Sequence, residues 1–363
     1  MTNNTLLSLK NLPIPRLSEQ LQSLGEPKYR ASQLMKWMYQ KRLDSFDTMN
    51  NIPKTSKSLL SGKYSLKKLN RIFCAESKHK DAVKFGFETA EASADASASA
   101  SGTIESVLLI DGERRTACLS SQLGCALGCV FCATGKMGFI RNLSQEEILG
   151  QLIGINDYCA EHQDKTVTNI VFMGMGEALA NFDAFLSSLQ IIMHEDAFTI
   201  GARRITVSTA GVVPSIERLM AQDLTIGLAI SLNAYNNPQR DRIMPINKKY
   251  PIEALVEAAR RYEKKTNRPV TFEYVVVEGD NDTPEAVKAL TRLLKGVECK
   301  INVIPVNPGA GLLVPSPSEK RLQDFADALF RQGLAATVRK SRGRDICGAC
   351  GQLGGLKRPC AST

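Results

Sequence analysis

Cys125, Cys129 and Cys132 form a Cys-x3-Cys-x2-Cys array in the segment SSQLGCALGCVFCATGKMGF, on a loop that also holds Gly124 and Gly128. Thiolates bind zinc and iron–sulfur clusters, and a structural zinc site takes four ligands. Zinc would need a fourth His or Cys nearby, yet the three histidines, His79, His162 and His194, all lie away from the array. An iron–sulfur cube held by three thiolates leaves one iron open to a non-protein ligand. Zinc or a chance grouping is the competing reading. Ten cysteines in a chain with no secretory leader favour metal or redox chemistry over a disulfide framework.

Two further cysteines stand in chemically suggestive places. Cys118 precedes the array in RTACLSSQLGC, and Cys350 lies in RGRDICGACGQLGG near the C-terminus. Inert core cysteines are the bland account, but a glycine-rich loop is poor core material. Cys347, in CGAC, reads as a redox or zinc half-site, close enough to Cys350 for an off-pathway disulfide. Cys74, Cys159, Cys299 and Cys360 read as structural or surface residues. FMGMGEALAN places Gly176 and Glu177 after an apolar run, where glycine admits close approach and a carboxylate can accept from an ammonium group. Ser208 in VSTAG, Ser231 and Asn233 in ISLN, and Asn307 in IPVNP offer hydroxyls and amides suited to ribose and carboxylate groups. Taken singly, each reads as an ordinary strand terminus.

The elements that must position these residues show a regular rhythm. From about Thr116, short β-branched runs (TACLSS, NIVFMGMG, RITVSTAG, IGLAISLN, VTFEYVVV, KINVIPVNP, AATVRKS) alternate with amphipathic segments such as SQEEILGQLIGINDYC and PIEALVEAARRYEKK. Strand–helix repetition predicts an α/β fold with parallel strands, closing into a partial (βα)6 TIM-like barrel whose chemistry sits at the strands' carboxyl ends. The cysteine array follows the first of these strands.

Upstream, PKYRASQLMKWMYQKRLDSF has apolar residues at helical spacing with Lys28, Arg30, Lys36, Lys41 and Arg42 between them, which predicts a helical module with a basic outer face. AVKFGFET and IESVLLIDG predict a hairpin around AEASADASASASG, a low-complexity tip too small in side-chain bulk to pack. On pattern alone Glu105, in IESVLLI, is a solvent-facing strand residue. The boundaries expected are 1–72 a helical RNA-contacting domain, 73–115 a hairpin connection with a disordered tip at about 89–102, 116–340 the barrel, and 341–363 a catalytic cysteine loop and tail. The charge is +9, from 46 Lys+Arg against 37 Asp+Glu, which suits a polyanionic partner. A signal peptide and a membrane-spanning run are both lacking, which predicts a cytoplasmic protein.

The array, with Phe131 before its last cysteine, resembles the radical S-adenosylmethionine (SAM) superfamily. Together with MGMGEALAN, VSTAGVVPSIERL, RIMPINKKYPIEAL and ACGQLGG, it makes nearly the whole chain resemble the RlmN/Cfr family of adenosine methyltransferases. The resemblance implies one 4Fe-4S cluster on Cys125, Cys129 and Cys132, with SAM at the open iron and two SAM per turnover. It implies that Gly176, Glu177, Ser208, Ser231, Leu232, Asn233 and Asn307 contact SAM. It further implies that Cys350 is methylated, that a radical formed on its methyl group adds to the base, and that Cys118 attacks the Cys350 sulfur to release product. Glu105 matches the proton acceptor. The substrate implied is carbon 2 of an adenosine in 23S rRNA, with a tRNA adenosine as a second target and an electron donor such as flavodoxin as partner. Carbon-8 methylation, as in the Cfr branch, and a non-RNA substrate are the alternatives. Two positions depart from the family pattern: Asn233 where histidine is common, and Ala178 where the carbon-2 branch carries proline.

Overall fold

The computed structural model describes residues 6–89, 102–307 and 316–354. Ten strands form one sheet: β1 (Arg71–Glu76), β2 (Ala82–Glu88), β3 (Thr103–Asp111), β4 (Arg114–Cys118), β5 (Asn169–Phe172), β6 (Ile205–Thr209), β7 (Gly227–Ser231), β8 (Val270–Val276), β9 (Cys299–Pro305) and β10 (Ala335–Val338). Each strand bonds to the one before it, so spatial order follows chain order throughout. From β1 to β4 the pairings are antiparallel. From β4 to β10 they are parallel.

Six helices make the crossovers: α4 (Gln145–Glu161), α5 (Phe182–Met193), α6 (Val213–Met220), α7 (Ile252–Thr266), α8 (Pro284–Leu293) and α9 (Glu319–Arg331). Local chemistry starts them where the sequence pattern predicts. Ser144 caps α4 in a reciprocal capping box with Glu147, and Thr283 and Ser318 cap α8 and α9. Among the described residues β4 pairs with β3 and β5 while β10 pairs with β9 alone, so the barrel is partial, open between β10 and the hairpin side.

The hairpin is less of a separate connection than the pattern suggests. β2 and β3 pair along their whole length, from Ala82 opposite Leu109 to Glu88 opposite Thr103, and extend the barrel sheet directly. Its predicted tip falls mostly on residues 90–101, outside the described residues. The end of the C-terminal tail, including Cys360, also lies outside them.

The N-terminal module has three short helices, α1 (Ile14–Ser23), α2 (Arg30–Met35) and α3 (Lys54–Ser61), around buried Leu17, Leu21, Leu34, Met38 and Leu60. Its basic outer face is smaller than predicted. Arg30 is buried and paired with Glu26 at 2.7 Å. Lys36 pairs with Asp196 at 3.2 Å, and Arg42 with Asp157 at 2.7 Å. Those acids lie beyond the module, on α4 and just after α5. Much of the charge therefore attaches the module to the barrel, leaving Lys28 and Lys41 exposed. Among the described residues no helix is long and apolar enough to cross a membrane.

Arg240 braces the barrel mouth. It is fully buried, and its guanidinium donates to the carbonyls of Leu232 (3.1 Å), Ala210 (2.6 Å) and Ser231 (3.0 Å) and to Asn247 Oδ1 (3.1 Å). Those carbonyls lie at the ends of β6 and β7, where the sheet ladder runs out. Arg240→Met would leave several buried carbonyls without donors. We expect a loss of about 3 kcal/mol in stability, measured as a lower urea midpoint with an unchanged slope.

Candidate active site

After β4 the chain runs through a short strand, Gln122–Gly124, that pairs with Phe139–Asn142. Gly124 has φ +73°, and a Cβ there would sit 1.9 Å from the Gly138 carbonyl oxygen, so only glycine fits. The Cys125 N–H donates to the same oxygen at 2.8 Å, fixing where the loop turns. Cys125, Cys129 and Cys132 are free, half-buried, and line one cavity at the carboxyl ends of the barrel strands. Burial pushes the Cys125 thiol up to about 11 and that of Cys129 higher still, with neighbouring thiols adding to both. Among the described residues no three His, Cys, Asp or Glu side chains converge on a position for a single metal ion. Thiols such as these could hold an iron cluster, whose cationic iron would supply the charge that lets them ionise.

The same cavity brings together Gly176, Glu177, Ser208, Ser231, Asn233 and Asn307 from the ends of β5, β6, β7 and β9. Gly176 has φ +90°, and a Cβ there would meet the Gln122 side chain at 2.3 Å. Glu177 Oε2 accepts from the Ala210 N–H at 2.8 Å, and Oε1 from the Leu179 N–H at 3.3 Å. Burial outweighs those bonds and pushes its carboxyl up to about 7. An ammonium group would offset that desolvation. Asn233 takes a left-handed conformation, φ +58°, which asparagine tolerates better than most residues. Its Oδ1 accepts from the Val275 N–H at 2.9 Å, and its amide nitrogen donates to Met244 Sδ at 3.3 Å, a weak acceptor.

Leu232 lies between two residues of the cavity lining; its side chain is buried, its N–H donates to the Glu273 carbonyl at 3.0 Å and its own carbonyl accepts from Arg240. Asn307 is also committed: Nδ2 donates to the Cys350 carbonyl at 3.0 Å, and Oδ1 accepts from Arg344 Nε at 2.8 Å.

The two remaining cysteines meet on different terms. Cys350 is free, exposed within the barrel, and borders both the thiol cavity and a second cavity of about 690 Å³. Cys118 borders only the second. Burial first, then the nearby Cys350, pushes the Cys118 thiol up to about 12. The loop carrying Cys350 is tied to the cysteine array itself. The Ala133 N–H donates to the Gly351 carbonyl at 2.8 Å, and the Thr134 hydroxyl donates to the Leu353 carbonyl. Cys347 is disulfide-bonded while Cys350 is free, so the pairing open to these two in the sequence is not formed.

Glu105 is not solvent-facing. It is wholly buried, Oε2 lies 3.0 Å from Lys84 Nζ and accepts from the Gly354 N–H at 3.1 Å, and Oε1 has no partner. It borders neither cavity. Lys84 also donates to the Cys347 carbonyl at 3.3 Å, so the pair anchors both ends of the cysteine loop.

Comparison with known proteins settles the family. Residues 7–65 match the family described as Ribosomal RNA large subunit methyltransferase N-terminal domain, and residues 119–291 match the Radical SAM superfamily. A Geobacter sulfurreducens protein named dual-specificity RNA methyltransferase RlmN is 41% identical over 352 residues, covering 97% of this chain and 93% of that one. The chain belongs to the RlmN family of radical SAM RNA methyltransferases. A Protochlamydia amoebophila relative, named a probable dual-specificity RNA methyltransferase RlmN 2, is 39% identical over 93% of this chain and 92% of its own. The crystal structure of a radical SAM methyltransferase from Sphaerobacter thermophilus superposes with a TM-score of 0.88 at 40% identity, covering 95% of this chain and 98% of that one.

Membership in the RlmN family brings with it a 4Fe-4S cluster and SAM, and the donor set described above fits both. Sequence reasoning missed Glu273, a buried carboxylate in the cavity wall, although a charge inside VTFEYVVV was a visible signal. It also missed Lys84 and Thr134, whose roles depend on a loop remote in sequence. Lys84→Met would leave the Glu105 carboxylate buried beside no cation and should cost about 3–5 kcal/mol. The double variant Lys84→Met/Glu105→Leu should recover most of that loss in a denaturant titration.

Proposed function

We propose that this chain methylates carbon 2 of an adenosine in 23S rRNA, with a tRNA adenosine as a second substrate, through an S-methyl intermediate on Cys350. The observation that carries the reading is the position of Cys350, which borders the cavity of the three thiols on one side and that of Cys118 on the other. Relatives named dual-specificity RNA methyltransferases support RNA as substrate and, carrying the RlmN name, favour carbon 2 over carbon 8.

Cys125, Cys129 and Cys132 would hold the cluster, and Gly176, Glu177, Ser208, Ser231, Leu232, Asn233 and Asn307 would contact SAM, with the Glu177 carboxylate on its ammonium group. Bound together, cluster and SAM supply a 5′-deoxyadenosyl radical, and a second SAM supplies the methyl group. Cys350 accepts that methyl on sulfur, which requires its thiolate. Burial opposes ionisation of Cys350, and the Arg339 guanidinium favours it. Asn307, Ala133 and Thr134 keep its loop in register. Loss of a hydrogen atom from that methyl group to the 5′-deoxyadenosyl radical would let its carbon bond to the base. The Cys118 thiolate would then attack the Cys350 sulfur, forming a disulfide as the sulfur–carbon bond to the product breaks. The freed carbon would take up a proton, and the one spare electron would return to the cluster. The ring proton goes to Glu105, a step that needs the Gly354 end of the loop to shift. A flavodoxin-like donor and a cytoplasmic setting complete the reading.

Protein purified without oxygen should be brown and carry about four irons, and Cys125→Ala should lose them. A colourless zinc protein would sink the proposal. Cys118→Ala should accumulate an RNA adduct linked through Cys350, visible as a slow band in denaturing gels. Mass spectrometry of digested RNA should reveal 2-methyladenosine, and 8-methyladenosine in its place would refute the carbon assignment.

A further inference from the structure

Gln122 is the first residue of the short strand that leads into the cysteine array, three positions before Cys125. It is buried, and both ends of its side-chain amide are committed. Oε1 accepts from the Glu177 N–H at 2.8 Å, and Nε2 donates to Asn142 Oδ1 at 2.8 Å. Asn142 is its partner on the opposing strand of the same ribbon. One side chain thus joins the main chain of Glu177 to the ribbon from which Cys125 emerges.

Main-chain bonds reinforce the same junction. The Ser121 and Gln122 N–H groups both donate to the Met175 carbonyl, at 2.9 and 3.2 Å. The Met175 N–H donates to Ser120 Oγ at 2.7 Å. Gly176 is fitted to the Gln122 side chain, since a Cβ there would stand 2.3 Å from Gln122 Cβ and 2.7 Å from Cγ. Pairing of the two ribbon strands needs only main chain, so an apolar side chain would serve a buried ribbon position as well. An amide buried with both ends bonded does more, because it holds two segments in register. The Glu177 carboxylate is oriented separately, by the Ala210 and Leu179 N–H groups. What the Gln122 amide fixes is where the Glu177 main chain stands.

Resting on the reading of Glu177 as acceptor for the SAM ammonium group, we propose that Gln122 is a positioning residue for SAM, whose amide sets the spacing between the Glu177 carboxylate and the cysteine array. A ligand that meets both a cluster and a carboxylate binds tightly only when the two are held at one spacing, to within about 0.5 Å. Gln122 does not line the thiol cavity, so it acts through Glu177. Methionine at this position would keep most of the volume but offer the Glu177 N–H only a weak acceptor and Asn142 no donor.

The test is a double-mutant cycle on the full-length protein carrying its cluster. The SAM dissociation constant is read from the SAM-induced change in the EPR spectrum of the reduced cluster, with iron content measured in parallel. Gln122→Met should weaken SAM by about 10- to 100-fold with iron content held. Glu177→Gln should weaken it at least as much. The double variant should lie within about threefold of Glu177→Gln alone, because the amide acts only through that carboxylate. Asn142→Ala, at an exposed position, removes one bond to the amide and should weaken SAM by about three- to tenfold. That variant carries the test if Gln122→Met does not fold. Losses that multiply in the double variant overturn the inference, as does wild-type SAM affinity in Asn142→Ala or Gln122→Met. Iron content that falls in step with SAM affinity overturns it too, and assigns Gln122 to the cysteine loop. Wild-type SAM affinity in Glu177→Gln overturns the ammonium reading and this inference with it.

Discussion

A main-chain hydrogen bond, from Ala133 N–H to the Gly351 carbonyl, joins the end of the cysteine array to a loop at the far end of the chain. The site depends on this junction. An open barrel leaves a gap between its last strand and the hairpin, and the segment after β10 spans it. Arg342 grips the Ile110 carbonyl at 3.0 Å and Asp111 at 2.8 Å on the hairpin side. Asn307 holds the Cys350 carbonyl, and Glu105 holds the Gly354 N–H. Cys350 is thereby fixed between two cavities rather than left on a free tail.

The polar interior follows one rule: a buried charge is kept where it holds backbone together or faces a ligand. Arg240 spends its donors on strand-end carbonyls. Lys84 and Glu105 neutralise each other and bond the cysteine loop. Glu177 and Glu273 have no such close counter-charge, and both lie in the wall of the cavity lined by the three thiols. Desolvation raises the pKa of each because neither has a full counter-charge in the protein. Such groups reduce stability and gain affinity for cationic or donor ligands.

Where pattern reasoning succeeded and where it failed have physical explanations. The βα rhythm was legible because strands buried on both faces are apolar runs and crossover helices carry a 3.6-residue stripe. The thiol triad was legible because its ligands are close in sequence. The basic face of the N-terminal module was over-read, since Asp157 and Asp196, which pair with Arg42 and Lys36, come from distant segments. Glu105 looked solvent-facing because nothing local indicates that Lys84 lies on the next strand.

By itself the sequence determined the element order, the strand-end placement of Gly176, Glu177, Ser208 and Ser231, and the three thiols, because each rests on local periodicity or short spacing. Only the tertiary structure decided that Asn307 clasps Cys350, that Cys118 and Cys350 share one cavity, and that Glu273 keeps an oxygen without a donor. Those facts depend on which segments the sheet brings side by side. Contacts across hundreds of residues are set by sheet order and loop closure, which no short stretch of sequence encodes.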